Sequence, residues 1–486
     1  MLKPALRYLF KFTLTAGLLL LLLGIALSLR AHWRLPDLSA WHQVALKHEF
    51  RAHDPNRARD FVGYLRQEAR LFEELEREIY LNPERLAEQP LARYAAGSVV
   101  AERALRGGGN RSLVRVHPAQ RGVVLLLHGL TDAPYSLHAV ADAFYAQSIS
   151  TVALRLPGHG TSPQALLNVQ WEDWFSAVEL AAHEASLLRG TGQPFFIVGY
   201  STGAPLALLY SLKAVRDPKL PKPDHLLLIS AALGISRLAL LGRLTDAVSA
   251  LPGLEKGRWL DVYPEIDPYK YNSFPLNGGI QIWRLTRALE AAFSASIADQ
   301  SILKMPRVTA FQSLVDATVA PRDVLTRLFD RLPAGAHELV VFDLNRHESR
   351  GALIDPRFHA QLGEMRSSPA RDYQVALISN RDAQTAQVVE FRRRAHTTDS
   401  QTIELGLAWP PNVLSLSHVA LPFPLDDALY GLYPKATLEP ELTLGGPAPR
   451  GEEGAMAIPL GKLARMRSNP FFAVIEQRIA QATATR

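Results

Sequence analysis

Residues 12–29 carry no charge and contain an unbroken leucine run at 18–23. A stretch of that length is just enough to cross a hydrocarbon layer of about 30 Å as a helix. Lys3, Arg7 and Lys11 precede it, and it ends in Ser28-Leu29-Arg30-Ala31-His32. A cleavable signal peptide has a shorter apolar core and a small-x-small cleavage site. The apolar stretch here is longer and residues 28–32 offer no good cleavage pair, so the pattern favours an uncleaved signal anchor over a cleaved signal peptide. Arg30 and Arg34 follow the span, so basic residues alone do not decide its orientation. A single N-terminal anchor with a short basic head ordinarily leaves its head inside and the bulk of the chain exported.

Beyond the span the period changes. Phe61, Leu65, Ala69, Phe72, Leu75 and Ile79 recur at helical spacing with charges between them, which predicts a helix over 60–80. From residue 112 short apolar runs at 123–127, 151–156, 195–198, 226–230 and 308–312 read as buried strands. Helical stretches at 137–144, 171–188 and 204–212 alternate with the first of them. That alternation predicts a mostly parallel sheet covered on both faces. It breaks between 233 and 306, where two leucine-rich helical stretches, 238–251 and 280–293, flank a Pro/Tyr/Asn-rich segment at 264–275. An insertion of this size and place predicts a helical cap over the sheet edge. The region 351–411 reads as irregular, 413–417 as a strand, and 434–459 as a Pro/Gly-rich stretch.

The expected organisation is an anchor at 1–34, a helical linker region packed on the core at 35–110, the first part of the core at 111–233, and a cap at 234–305. The second part of the core, with an insertion, takes 306–433, and an extension takes 434–486.

Composition narrows the chemistry. The chain has 486 residues, no cysteine and a formal charge of +6. Disulfides, thiolate metal sites and a cysteine nucleophile are thereby excluded, and the redox compartment stays open. The basic run Arg392-Arg393-Arg394 has no aromatic stacking motif beside it, so it reads as a solvated edge rather than a nucleic-acid contact.

The candidate chemistry lies at the strand ends. Gly199-Tyr200-Ser201-Thr202-Gly203 follows an apolar strand and opens a helix. A serine at such a turn is lifted above the sheet edge in a strained conformation, which makes Ser201 the candidate nucleophile. His128-Gly129-Leu130 ends the 123–127 strand. The backbone N–H groups of Leu130 and Thr202 are therefore the candidate oxyanion donors. Asp316 follows the 308–312 strand and is placed to orient a histidine. Two histidines compete as the general base. His347 follows the strand at 338–343, about 30 residues beyond Asp316, and His418 follows 413–417 and opens a proline-rich loop. His418 is preferred at the cost of an insertion of roughly a hundred residues between acid and base. No metal or organic cofactor is called for.

As a set, His128-Gly129-Leu130-Thr131-Asp132, Arg155-Leu156-Pro157-Gly158-His159-Gly160-Thr161, the Ser201 pentapeptide and residues 313–319 resemble the α/β-hydrolase fold. Within it they are similar to the bacterial monoacylglycerol lipase-like and serine aminopeptidase-like (hydrolase-4) group. Residues 417–424 look like a motif of a membrane-attached subgroup. The resemblance implies a cofactor-free serine hydrolase acting on a carboxylic ester, often one with an acyl chain, with lipids among the candidate substrates. An amidase or peptidase on the same triad, and a catalytically silent binding scaffold, are the alternatives.

Overall fold

The computed structural model describes residues 2–234, 245, 248–249, 251–367, 369–435, 443–446 and 458–484. Helix α1 spans Leu2–Arg34 and is long and apolar enough over Lys11–Arg34 to cross a membrane. Helix α2, Phe61–Leu75, lies within the expected 60–80 helix; Asp60 caps it by accepting from the Gly63 N–H at 2.6 Å. Its apolar face packs Leu71, Phe72 and Leu75 with Ile79, Trp41 and Tyr94. Helix α3, Val99–Arg106, follows.

The strands are β1 Leu113–Arg115, β2 Gly122–Leu127, β3 Ile149–Leu154, β4 Phe195–Tyr200 and β5 His225–Ile229, then the short pair β6 Trp259–Asp261 and β7 Phe274–Pro275. After these come β8 Arg307–Ser313, β9 Glu338–Phe342, β10 Gln374–Asn380, β11 Gln387–Arg393 and β12 Ser400–Ala408. Ten of them form one sheet in the order β1-β3-β2-β4-β5-β8-β9-β10-β11-β12. From β3 through β10 every pairing is parallel; β1, β11 and β12 are antiparallel.

Strands β2, β4 and β5 are buried at every residue. Continuous apolar runs such as Gly122–Leu127 are what a parallel sheet covered on both faces demands. One face carries α5, Trp171–Leu188, and α6, Gly203–Ala214, whose Trp174, Val178, Leu206 and Tyr210 pack on Leu125, Leu127 and Ile197. The opposite face carries α4, His138–Ala146, and the C-terminal helix Phe472–Ala484; Val140, Phe144, Ile475 and Ile479 cover Val124, Leu126 and Val198 there. Together these elements make an α/β-hydrolase sheet with β6, β7 and α7, Leu276–Ala298, inserted between β5 and β8.

Two expectations need correction. Residues 351–411 are not irregular: they hold a helix, Pro356–Ser367, and β10–β12, which extend the sheet beyond β9. Conversely, 413–417 forms no strand, because its backbone pairs with side chains and single loop groups instead of a ladder. The expected cap helix at 238–251 lies mostly outside the described residues, as does most of the 434–459 stretch.

The segment before the sheet is tied to it by a buried ion pair network. Arg155, 1% exposed, donates to both carboxylate oxygens of Glu49 at 3.0 and 3.2 Å and to Glu68 at 2.9 Å. It also holds the His159 carbonyl at 3.0 Å, which fixes the turn after β3. Removing one partner of such a network leaves an uncompensated buried charge and costs about 3–5 kcal/mol. Arg155→Ala is accordingly expected to lower the unfolding free energy from urea melts by that much. A loss under about 1 kcal/mol, in the range of an exposed pair, would show that Glu49 and Glu68 find other partners.

Candidate active site

All the candidate groups hang from the carboxyl ends of the parallel strands. Between β4 and α6 the chain reverses so tightly that a Cβ on Gly199 would lie 2.5 Å from the Gly203 carbonyl oxygen. A Cβ on Gly203 would lie 2.0 Å from the Leu127 carbonyl oxygen of β2. Only glycine allows that approach. Ser201 is consequently held at φ 51°, in the left-handed region, which costs a non-glycine residue about 1–3 kcal/mol. Three backbone hydrogen bonds keep it there: Ser201 N–H to the Ile229 carbonyl at 2.9 Å, and the Ala204 and Ala232 N–H groups to its own carbonyl at 3.2 Å each.

The loop after β2 brings Gly129 against Ser201; a Cβ at Gly129 would meet the Ser201 Cβ at 3.1 Å. His128 is fully buried, with Nδ1 2.8 Å from the Gly129 carbonyl and Nε2 accepting the Leu156 N–H at 3.0 Å. Burial and the neighbouring His159 hold its pKa well below the ordinary imidazole range, so it is neutral and braces the loop. Among the described residues neither the Leu130 nor the Thr202 amide meets a hydrogen-bond partner. Each belongs to a residue that flanks the cavity or abuts Ser201.

Asp316 follows β8 in a turn. Its Oδ1 accepts the Thr318 and Val319 N–H groups at 2.8 and 2.9 Å, and its Oδ2 accepts from Gln312 at 3.2 Å. Burial pushes its pKa up against those hydrogen bonds. His418 Nδ1 lies 3.8 Å from Asp316 Oδ1. That is longer than a hydrogen bond, and catalytic hydrogen bonds commonly tighten only with substrate in place.

The approach of His418 is unusual, because the chain returns to the site after β10–β12. Residues 413–418 are laid across the ends of three earlier strands. Asn345, just past β9, donates its N–H to the Leu414 carbonyl at 2.7 Å and its side-chain amide to the Val413 carbonyl at 3.1 Å. The Ser313 hydroxyl at the end of β8 donates to the Leu416 carbonyl at 2.8 Å, and Ser230 beyond β5 reaches the His418 carbonyl at 3.4 Å. His347, the competing base, lies elsewhere: it caps the turn Glu348–Leu353 and pairs with Ser349 at 2.8 Å. It does not line the cavity.

That cavity, of about 520 Å³, is lined by Leu130, Ser201, Ile282, Val319, His418 and Phe423 among others. Sequence reasoning missed its charged rim. Asp132 pairs with Lys270 at 2.6 Å, Asp261 with Lys462 at 2.8 Å and Asp267 with Arg467 at 3.4 Å. Arg465 faces the same space. The clustering of Lys462, Arg465 and Arg467 after Pro459 is visible in the sequence, but nothing local places it beside Ser201.

Residues 118–350 match the family model described as Hydrolase_4, serine aminopeptidase, S33. That segment is similar to the hydrolase-4 group of α/β-hydrolases. The match takes in Ser201, Asp316 and His347 and stops before His418, so it lends His418 no support. A thermostable monoacylglycerol lipase of Bacillus sp. (strain H-257) is 38% identical over 86 residues, which are 18% of this chain and 33% of that protein. The chain thus spans about a third of that relative's length. Among solved structures, the monoacylglycerol lipase of Paleococcus ferrophilus is 17% identical, with 48% of this chain and 88% of that one covered and a TM-score of 0.36. A soluble variant of monoglyceride lipase from Saccharomyces cerevisiae, in complex with a substrate analogue, is 16% identical over 52% of this chain and 88% of that one, with a TM-score of 0.36.

Proposed function

We propose that this chain is a membrane-anchored serine hydrolase that cleaves a carboxylic ester with an acyl chain. The observation that carries the reading is convergence: Ser201 and His418 line one cavity, Asp316 lies 3.8 Å from the His418 ring, and among the described residues the Leu130 and Thr202 amides beside Ser201 meet no hydrogen-bond partner. In this chemistry the Ser201 hydroxyl attacks the ester carbonyl while His418 takes its proton. Asp316 accepts from the ring Nδ1 and stabilises the imidazolium that forms. The oxyanion is received by the Leu130 and Thr202 N–H groups, each worth about 3 kcal/mol of barrier in comparable sites. His418 then protonates the departing alcohol, and a water it activates clears the acyl-enzyme.

Leu130, Ile282, Val319, Val419 and Phe423 supply the apolar wall for an acyl chain. A peptidase reading would require a carboxylate free to capture a substrate amine. Among the described lining residues Asp132, Asp261 and Asp267 each already face a cation, which favours the ester. The test is labelling of the purified full chain by a fluorophosphonate, followed by hydrolysis of p-nitrophenyl esters of increasing acyl length. Labelling with a rate optimum at medium or long chains is expected. Absence of labelling on folded protein would refute the serine hydrolase, and rates that fall steadily from acetate upward would refute the acyl pocket.

A further inference from the structure

The C-terminal part of α1 does not stand clear of the protein. Gly24 and Ser28 are buried and Ala31 and Leu35 half-buried, a spacing that puts all four on one side of the helix. Leu18–Leu23 just before them are exposed. What covers Ser28 is the insertion between β5 and β8. A Cβ on Gly257 would lie 2.6 Å from both the Ser28 and Ser249 hydroxyl oxygens, so this contact leaves no room for any larger residue. Lys256 clamps the next turn, with Nζ 3.0 Å from the Leu35 carbonyl and 2.8 Å from Asp37. Leu35 and Leu38 pack on Trp259, Val262 and Leu167. Asp261 and Tyr263, in the same short segment, line the cavity that holds Ser201.

Ser28 lies inside the charge-free stretch, two residues before Arg30. At about 1.5 Å per residue it sits within one turn of the end of the span. Whatever packs on Ser28 is therefore held at the boundary between headgroups and acyl chains. Leu251, at the start of the same turn, is 53% exposed. In water it is a lone apolar residue; at that depth it has acyl chains to contact.

We propose that the turn at 251–257 is itself seated in the lipid leaflet, fixed there by its packing on α1, so that the cavity opens toward the bilayer and receives a membrane-resident ester. This rests on the reading of α1 as a retained anchor. The substrate class is one that partitions into the leaflet, and Asp261 and Tyr263 connect the lipid-facing turn to the cavity within a few residues.

The cysteine-free chain allows a direct test that does not depend on hydrolysis. Single variants Leu251→Cys, Leu20→Cys and Leu187→Cys of the full chain are labelled with an environment-sensitive nitrobenzoxadiazole and reconstituted in two sets of phosphatidylcholine vesicles, one carrying lipids doxyl-labelled near the headgroup and the other lipids doxyl-labelled deep in the acyl chain, which report Leu251 and Leu20 respectively. Leu20 is in the span, and Leu187 ends α5 at the opposite edge of the sheet from Ser201. Quenching at Leu251 several-fold above that at Leu187, with Leu20 also lipid-exposed, is the expected result. Quenching at Leu20 but not at Leu251 overturns the proposal and leaves the anchor standing. No quenching at Leu20 removes the anchor and the proposal with it. None of these outcomes depends on whether Ser201 is a nucleophile.

Discussion

Ser201→Ala is expected to abolish fluorophosphonate labelling and to lower kcat for a soluble ester on the order of 10⁶-fold, about 8 kcal/mol of barrier. No neighbouring group can substitute for the hydroxyl. The φ of 51° that lifts it also keeps the chain pinned, with Ala204 and Ala232 bonded to the Ser201 carbonyl. A water bound in the vacated space would lack this enforced alignment. The residual rate should be that of the Leu130 and Thr202 amides polarising the carbonyl, typically 10³–10⁴ over water. Because the substitution removes one oxygen at a partly exposed position, the unfolding free energy is expected to stay within about 1 kcal/mol of wild type. Steady-state rates and urea melts on the same preparations separate the two effects. Retained turnover with lost labelling would place the nucleophile elsewhere in the cavity.

The elbow was legible because its determinants are local. An apolar run, a glycine-bracketed serine and a helix start lie within about fifteen residues, and the tight approach of Gly203 to Leu127 makes the glycines obligatory. The same holds for Asp316, whose turn is closed by its own neighbours Thr318 and Val319. Strand β10 had a signal of its own, since Val375, Ala376, Leu377 and Ile378 are as continuously apolar as β2. What obscures it is the mixed polar helix Pro356–Ser367 before it and the solvent-facing β12, whose Ser, Gln, Thr and Glu residues leave only a weak alternation. Residues 413–417 fail in the opposite sense. Val413, Leu414 and Leu416 alternate with polar neighbours as a strand would, yet their carbonyls are taken by Asn345 and Ser313 from other strands. No window of sequence contains those partners. The charged rim was hidden for the same reason: Lys270 meets Asp132, and Lys462 meets Asp261, only after the insertion folds over the sheet edge.

His418→Ala is expected to reduce kcat/KM nearly as severely as Ser201→Ala, whereas His347→Ala should leave it within about two-fold, since members of such a unit are not additive. His347 caps a turn outside the cavity, so its loss is expected to cost only the ~1 kcal/mol of a cap in stability. The pH profile adds an independent reading of the base. Burial first, then the positive charges of Lys270 and Arg465, pull the His418 imidazole from 6.5 to about 3. A general base works in its neutral form, so in the free enzyme it stays competent well into acid. The acid limb of kcat/KM, which reports free-enzyme groups, is expected below pH 6.5 and belongs to the coupled His418–Asp316 pair. So depressed an imidazole is a weak base until the 3.8 Å gap to Asp316 closes and the carboxylate stabilises the imidazolium. Arg465→Gln removes one of the two cations and is expected to shift the acid limb upward without moving the alkaline side. An acid limb at or above 6.5 in the wild type would refute the depressed His418 imidazole, and loss of activity in His347→Ala with retention in His418→Ala would transfer the role of base to His347.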